Sequence, residues 1–217
     1  MYLPAHFEER SVEILHALIR EHPLGALVTL GPDGLAANHV PFEVDPEPAP
    51  FGTLRAHVAR ANPVWREHPR DADALVVFQA ESGYVSPSWY PTKHDTAKVV
   101  PTYNYVVVHA RGPLRAIDDA GWLRALVSRL TDRHEAGSEH PWKLTDAPEA
   151  FIESQLRAIV GIEIQPRSLI GKWKVSQNRP AVDREGVVRA LENAGDARSL
   201  DMARRVKDAL RPKPGRS

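Results

Sequence analysis

Leu24-Gly25-Ala26-Leu27-Val28-Thr29-Leu30, then Gly31-Pro32-Asp33-Gly34, then Leu35 through Val44: this stretch decides the fold class. Two strand-like runs flank a four-residue turn signal, which predicts a β-hairpin and therefore antiparallel pairing. More runs of strand length lie outward from it. Gly52–Ala59 sets Leu54, Ala56 and Val58 against Arg55, His57 and Ala59, and Ala74–Ala80 is continuously apolar. Pro101–Ile117 is the longest strand candidate, with Tyr103, Tyr105, Val107 and His109 on one face and Asn104, Val106 and Val108 on the other. Ala158–Gln165 alternates Val160, Ile162 and Ile164 with Gly161, Glu163 and Gln165, and Leu169–Val175 extends it past a turn at Pro166.

Helical spacing occurs elsewhere. Val12, Leu15, Leu18 and Ile19 predict an amphipathic helix between Phe7 and His22, stopped by Pro23. Pro63 is placed to start a short helix through His68. Trp122, Leu126, Val127 and Leu130 make Asp119–Glu135 helical, Asp146–Leu156 reads as a further helix, and the charged, Ala-rich stretch 184–210 reads as one or two more. The segments Asp45–Pro50 and Lys93–Lys98 read as loops. Strands and helices do not alternate as in a doubly wound parallel sheet, so the expected fold is α+β, mostly β: an antiparallel barrel with peripheral helices. The expected organisation is one domain over 1–183 with a helical insertion around 119–157, a C-terminal helical extension over 184–210 and a disordered tail at 211–217.

Composition narrows the chemistry. Lys+Arg 28 balance Asp+Glu 28 in 217 residues, so no global basic field exists to hold a nucleic-acid backbone. Cys 0 removes disulfides, thiolate nucleophiles and cysteine metal sites. No apolar run approaches the ~18 residues of a membrane span. Residues 1–10 lack the apolar core of a signal peptide, so a cytoplasmic protein is expected. The sequence holds no G-x-S-x-G, P-loop or G-x-G-x-x-G motif. Its histidines show no metal-ligand spacing, and no metal is expected.

Three groups stand out. Tyr84-Val85-Ser86-Pro87-Ser88-Trp89-Tyr90 and Pro101-Thr102-Tyr103-Asn104-Tyr105 interleave aromatic faces with hydroxyl and amide groups. That mixture suits a planar, polar heteroaromatic ligand, because rings stack while polar groups read its edge. The alternative is that the aromatics fill a barrel core and cover its rim. Arg60-Ala61-Asn62-Pro63 joins a strand to a helix start and could hold a phosphate, or could be a surface arginine and a turn asparagine. Gly171-Lys172-Trp173-Lys174-Val175-Ser176-Gln177-Asn178-Arg179 is dense in donors, or is simply a solvated basic loop. His39, His57 and His109 lie on expected strands and could converge on one pocket, or serve as hydrogen-bonded wall residues.

Several segments together resemble one family. Met1-Tyr2-Leu3-Pro4, Ala37-Asn38-His39-Val40-Pro41, His57 through Pro63, Tyr84–Tyr90, Val100–Tyr105 with Val108-His109-Ala110, and Gly171-Lys172 to Ser176-Gln177-Asn178 occur in the order seen in PaiB-type proteins, described as FMN-binding negative transcriptional regulators. The resemblance covers roughly residues 1–205, with Tyr103 where many relatives carry Trp. It implies an FMN-binding split β-barrel, a homodimer, and an FMN groove at the subunit interface. The residues it implies for cofactor binding are His39, His57, Arg60, Asn62, Ser86, Ser88, Trp89, Thr102, Tyr103, Asn104, Lys172, Lys174, Gln177 and Asn178. Within that set the phosphate is expected at Arg60 and Ala61-Asn62, with Lys172 or Lys174 as a further cation, because a charge near −2 needs about two cations once out of water. Ser86–Trp89, Thr102 and Asn104 are expected to face the groove, and Val76, Phe78, Val106 and Val108 to fill the barrel. Function is then flavin sensing or use in a regulator, with a flavin-dependent oxidoreductase of unknown small-molecule substrate as the alternative. DNA contact rests on the family label and, in the sequence, only on the C-terminal helices and the basic tail from Arg211 to Arg216.

Overall fold

The computed structural model describes residues 1–210; the expected tail at 211–217 lies outside the described residues. A 3-10 turn at Ala5–Phe7 leads into β1 (Glu8–Glu9), α1 (Val12–Glu21), β2 (Leu24–Gly31), β3 (Gly34–Pro41), β4 (Glu43–Asp45) and β5 (Thr53–Ala59). Next come α2 (Val64–Glu67), β6 (Asp73–Val85), a 3-10 turn at Pro87–Trp89, α3 (Lys93–Thr96), β7 (Thr102–Ile117) and α4 (Ala120–Glu135). A third 3-10 turn at Leu144–Asp146 precedes α5 (Glu149–Arg157), β8 (Ile159–Ile164), β9 (Ser168–Lys174), α6 (Ala181–Ala194) and α7 (Ala197–Asp208). The hydrogen-bonded strand order is β3-β2-β6-β7-β8-β5-β4, with β9 pairing β1 and β7. The chain divides into two compact units, one of residues 1–10, 79–108 and 170 onward, the other of 11–78 and 109–169.

In the second unit the hairpin forms as expected, but the turn is tighter. Pairing runs from Leu24↔Pro41 to Gly31↔Gly34, leaving Pro32-Asp33 as a two-residue loop with Gly34 at φ 104°. The second strand stops at Pro41 instead of running to Val44. Phe42 leaves the ladder, donates its N–H to Pro23 O at 2.9 Å, and buries its ring edge-on against Phe78, 5.7 Å between centroids. Helix α1 is capped by Ser11, whose Oγ accepts from Ile14 N, and buries Leu15, Leu18 and Ile19 as the spacing requires. His16 joins that buried face because its Nε2 reaches Phe51 O at 2.9 Å.

The strand β8 departs from its expected alternation, for Val160, Gly161, Ile162, Glu163 and Ile164 are all buried. It lies between β5 and β7, and a cluster of Leu123, Leu144, Ile152 and Leu156 from α4, α5 and the turn between them packs with Trp122 and Ile159. The Trp122 ring lies so close to Gly161 that a Cβ there would overlap it.

In the first unit, β9 is no simple extension of β8. It pairs with β1 in the register Glu8↔Lys172 and Glu9↔Gly171, a strand too short and too charged to show in the sequence. One turn of helix, α3, occupies the expected Lys93–Lys98 loop. The stretch after β9 becomes two helices: α6 starts at Ala181, ends at Gly195 with φ 73°, and α7 is capped by Asp196, whose Oδ1 accepts from Ser199 N. Val187, Val188 and Leu191 of α6 and Met202, Ala203 and Val206 of α7 are buried.

Gly161→Ala should lower stability by about 1–3 kcal/mol in urea unfolding, since the methyl would overlap the Trp122 ring. Gly137→Ala, at a position where a Cβ would meet nothing within 4 Å, should leave stability unchanged or slightly raised.

Candidate functional site

Strand β9 delivers Lys172 and Lys174 to one face, and the chain then turns sharply at Ser176, which adopts φ 68°. A residue with a Cβ rarely adopts this conformation unless its surroundings impose it. Here Gln177 clamps the turn, its Oε1 accepting from Val175 N at 2.8 Å and its Nε2 donating to Trp173 O at 2.5 Å. Arg179 N donates to Ser176 O at 3.0 Å. The buried Ser176 hydroxyl and Asn104 amide exchange contacts of 3.0 and 3.2 Å, with Asn104 1% exposed. A cavity of about 230 Å³ opens beside this pair, lined by Tyr90, Val100, Pro101, Thr102, Asn104, Lys174, Ser176, Asn178 and Arg179.

Its electrostatics are one-sided. Lys174 Nζ donates to Thr102 Oγ1 and Tyr103 O, each at 2.5 Å, and sits 5.8 Å from the Tyr105 ring centroid. Lys172 Nζ donates to Tyr2 O at 3.0 Å and lies over the Tyr2 and Tyr105 rings. Arg179 stacks its guanidinium over Tyr90, 4.8 Å from the centroid. Among the described residues none of these three cations pairs with a carboxylate. Burial, then the charges of Lys172 and Arg179, push the Lys174 ammonium below the ordinary lysine range. The Tyr90 hydroxyl is buried with no hydrogen-bond partner; burial pushes its pKa up, and the charge of Arg179, close but without hydrogen-bond geometry, pulls it part of the way back.

The structure thus gathers Thr102, Asn104, Lys174 and Asn178 around one cavity in the first unit, with Lys172 behind Lys174 on the strand and Gln177 turned inward to hold the loop. In the same unit, Ser86 caps the 3-10 turn, its Oγ accepting from Ser88 N and lying 2.7 Å from Ser88 Oγ, while Trp89 is half-buried. Tyr103 and Tyr84 stand exposed and meet edge to face at 5.9 Å. Tyr90, Ser176 and Arg179 are cavity residues that the sequence presented only as parts of longer runs.

The second unit treats its candidates differently. Arg60 donates to both carboxylate oxygens of Asp118 at 2.6 and 2.8 Å, to Arg157 O at 2.7 Å and to Ile159 O at 3.1 Å, so its charge and most of its donors are committed within the chain. Asn62 donates to Asn38 Oδ1 and accepts from Val64 N, which closes the start of a helix only four residues long. His39 is exposed on β3 opposite Ala26. His57 sits on β5 opposite Gly161, half-buried, with Nδ1 unpartnered and its pKa lowered by burial. His109 is lowered too, mainly by burial. Among the described residues no three metal-ligating side chains converge, and no helix is long and apolar enough to cross a membrane.

The mostly antiparallel sheet with its helices defines the class: a split β-barrel. Two solved structures share the fold. The flavocytochrome Anf3 from Azotobacter vinelandii superposes with a TM-score of 0.59 at 12% identity, over 77% of this chain and 69% of that one. The FAD and heme binding protein from Mycobacterium smegmatis gives 0.56 at 18% identity, over 77% and 73%. Residues 1–168 match the family described as "Putative FMN-binding domain", and the chain belongs to that family. FMN is the cofactor that this membership assigns. Protease synthase and sporulation protein PAI 2 of Bacillus subtilis is 28% identical over 97% of this chain and 99% of its own. An uncharacterized protein of Aspergillus fumigatus is 32% identical over 96% and 97%. The cavity residues fit FMN: unpaired cations for a phosphate, an orphaned hydroxyl, and amide and hydroxyl groups able to donate and accept.

The lowered pKa of His57 carries a pH prediction. The folded state keeps the ring neutral while the unfolded chain takes up a proton near pH 6.5, so stability should fall as pH drops below about 6.5 and level off below the folded pKa. His109 acts in the same direction. His57→Gln should flatten the fall, measured as urea midpoints between pH 7.5 and 5; an unchanged slope in both His57→Gln and the double variant with His109→Gln would contradict the assignment.

Proposed function

We propose that the chain binds FMN with its phosphate at Lys174 and Arg179, supported by Lys172, and with its ring system along the segment Ser86–Trp89 and Tyr103. What carries this reading is a cavity lined by Lys174 and Arg179, which among the described residues pair with no carboxylate, and by Tyr90, whose buried hydroxyl has no hydrogen-bond partner. Burying a cation without a partner is costly, and an anion in the cavity removes that cost. Asn104 and Thr102 offer the mixed donor and acceptor set that a flavin pyrimidine edge or ribityl chain requires. When bound, FMN supplies one- and two-electron redox chemistry.

The cavity of about 230 Å³ is smaller than the roughly 300–1,000 Å³ of pockets that enclose a whole ligand. Val100, at 64% exposure, leaves an apolar rim of the cavity open in one chain, and the paired rings of Tyr84 and Tyr103 stand exposed as well, at 48% and 59%. A second copy covering that rim completes the groove, so the working form is a homodimer with FMN at the subunit contact.

In this reading the protein is a flavin-responsive regulator, the role its PaiB-type kinship favours. The charge of α7 argues against grip on DNA through that helix: Arg204 pairs with Asp201, Arg205 with Glu81 and Lys207 with Glu192. In this reading regulation runs through a partner surface or a metabolite. The second reading, a flavin-dependent oxidoreductase, is favoured by the exposed rim at Val100 and Pro101, through which a small molecule reaches the cavity. NADH or NADPH oxidation by the FMN-loaded protein separates the two.

Lys174→Met should weaken FMN binding roughly 10- to 100-fold, the loss of one charge-assisted contact of about 1.5–3 kcal/mol. Arg60→Ala should leave it within about threefold, because that side chain already holds Asp118. Fluorescence titration reads both; the opposite order of effects would move the phosphate to Arg60. Light scattering should give twice the 24.1 kDa chain mass, and a monomer at all concentrations would sink the shared groove.

A further inference from the structure

The family match ends at residue 168, yet the cavity's cations and its left-handed turn come later, and directly after them the chain enters α6. We propose that the helix pair α6–α7 is coupled to the cofactor cavity, with Asp183 as the positioning residue that holds the Tyr90 segment in place. This rests on the FMN reading given above.

The coupling contacts are specific. Asp183 is 1% exposed, and its carboxylate accepts from Thr92 N at 3.1 Å and from Thr92 Oγ1 at 2.8 Å. It lies in the first turn of α6, where the helix dipole also favours a negative charge. Thr92 is two residues beyond Tyr90, which lines the cavity, so this clamp fixes the backbone that carries Tyr90. One helical turn on, Gly186 faces the Trp89 carbonyl so closely that a Cβ would overlap the oxygen. Arg179, just ahead of α6, stacks on the Tyr90 ring of the same segment. Thus α6 holds 89–92 at two points without lining the cavity itself.

The second helix follows the first. Arg184 Nη1 donates to Ala209 O at 3.3 Å, joining the start of α6 to the end of α7. Arg205 and Glu81, a half-buried pair at 3.0 Å, fasten α7 to the last part of β6, four residues before Val85 and the Ser86 turn. A ligand that orders Tyr90 and Arg179 therefore stabilises the seating of both helices, and by linkage whatever loosens the helices weakens the ligand equally. Flavin occupancy is in this way transmitted to the exposed face of the helix pair, where Val182 and Leu200 are each 43% exposed.

The test uses the full chain. Hydrogen exchange of residues 181–208 should slow when FMN saturates the wild-type protein, although none of them lines the cavity. Asp183→Ala and Gly186→Ala should each weaken FMN binding roughly 10-fold, within the usual range of coupling between sites. Asp183→Asn, which keeps a carbonyl for Thr92 N and offers its amide to the Thr92 oxygen, should restore most of the affinity, and Arg189→Ala on the exposed face should change nothing. If FMN binds wild type and Lys174→Met weakens it, but exchange over 181–208 is the same with and without FMN, the coupling is refuted and the FMN site stands. If wild type does not bind FMN, both fall. Should Asp183→Ala fail to fold, the exchange measurement on wild type decides alone.

Discussion

Positive charge held without a counter-charge is the constraint on which the site depends. Lys174 is fixed by a hydroxyl and a carbonyl oxygen, Lys172 by a carbonyl and two rings, and Arg179 by the face of Tyr90. Oxygens of this kind orient an ammonium without cancelling it, so the cluster keeps its field, and burial first, then that field, lowers the pKa of Lys174. The left-handed turn at Ser176 makes the arrangement possible, since Arg179 then lies over Tyr90, and the Gln177 clamp together with the buried Asn104–Ser176 pair holds that turn.

Charge elsewhere is treated in the opposite way. Arg55 and Arg115 share the buried Glu163, Arg129 meets Glu43, and Arg60 meets Asp118. These pairs neutralise their arginines within the chain, whereas Lys172, Lys174 and Arg179, beside the aromatic segments, meet oxygens and rings and, among the described residues, no carboxylate. Uncancelled charge next to an orphaned buried hydroxyl is a cost that, in the reading proposed above, a bound anion lifts. The helices behind the segment 89–92 bear on the same residues, since Asp183 holds Thr92 and Gly186 packs on the Trp89 carbonyl.

Much of the fold was legible locally, because strand period and turn chemistry act over a few residues. The faces of β5 and β7, the capped helix α1 and the hairpin follow from side-chain alternation and spacing alone. What escaped depends on distant partners. Phe42 breaks the second hairpin strand for the sake of Phe78, β8 is buried on both faces because α4 and α5 pack there, and β1 exists only because β9 pairs with it. The site divides the same way. Lys174, Thr102 and Asn104 were visible as residue types in unusual runs, whereas the commitment of Arg60 is set by an aspartate 58 residues away. Nothing in the sequence marks a serine for φ 68°, and nothing in the aromatic run singles out Tyr90 as the ring whose hydroxyl is left unpartnered.

The uncancelled charge at Lys174 and Arg179 is tested most directly by comparing FMN with riboflavin, which lacks the phosphate, on the same full-length protein in low salt. FMN should bind roughly 10- to 100-fold more tightly, and inorganic phosphate should compete with FMN but not with riboflavin. Equal affinities for the two flavins, unaffected by phosphate, would contradict an anion site at this cavity.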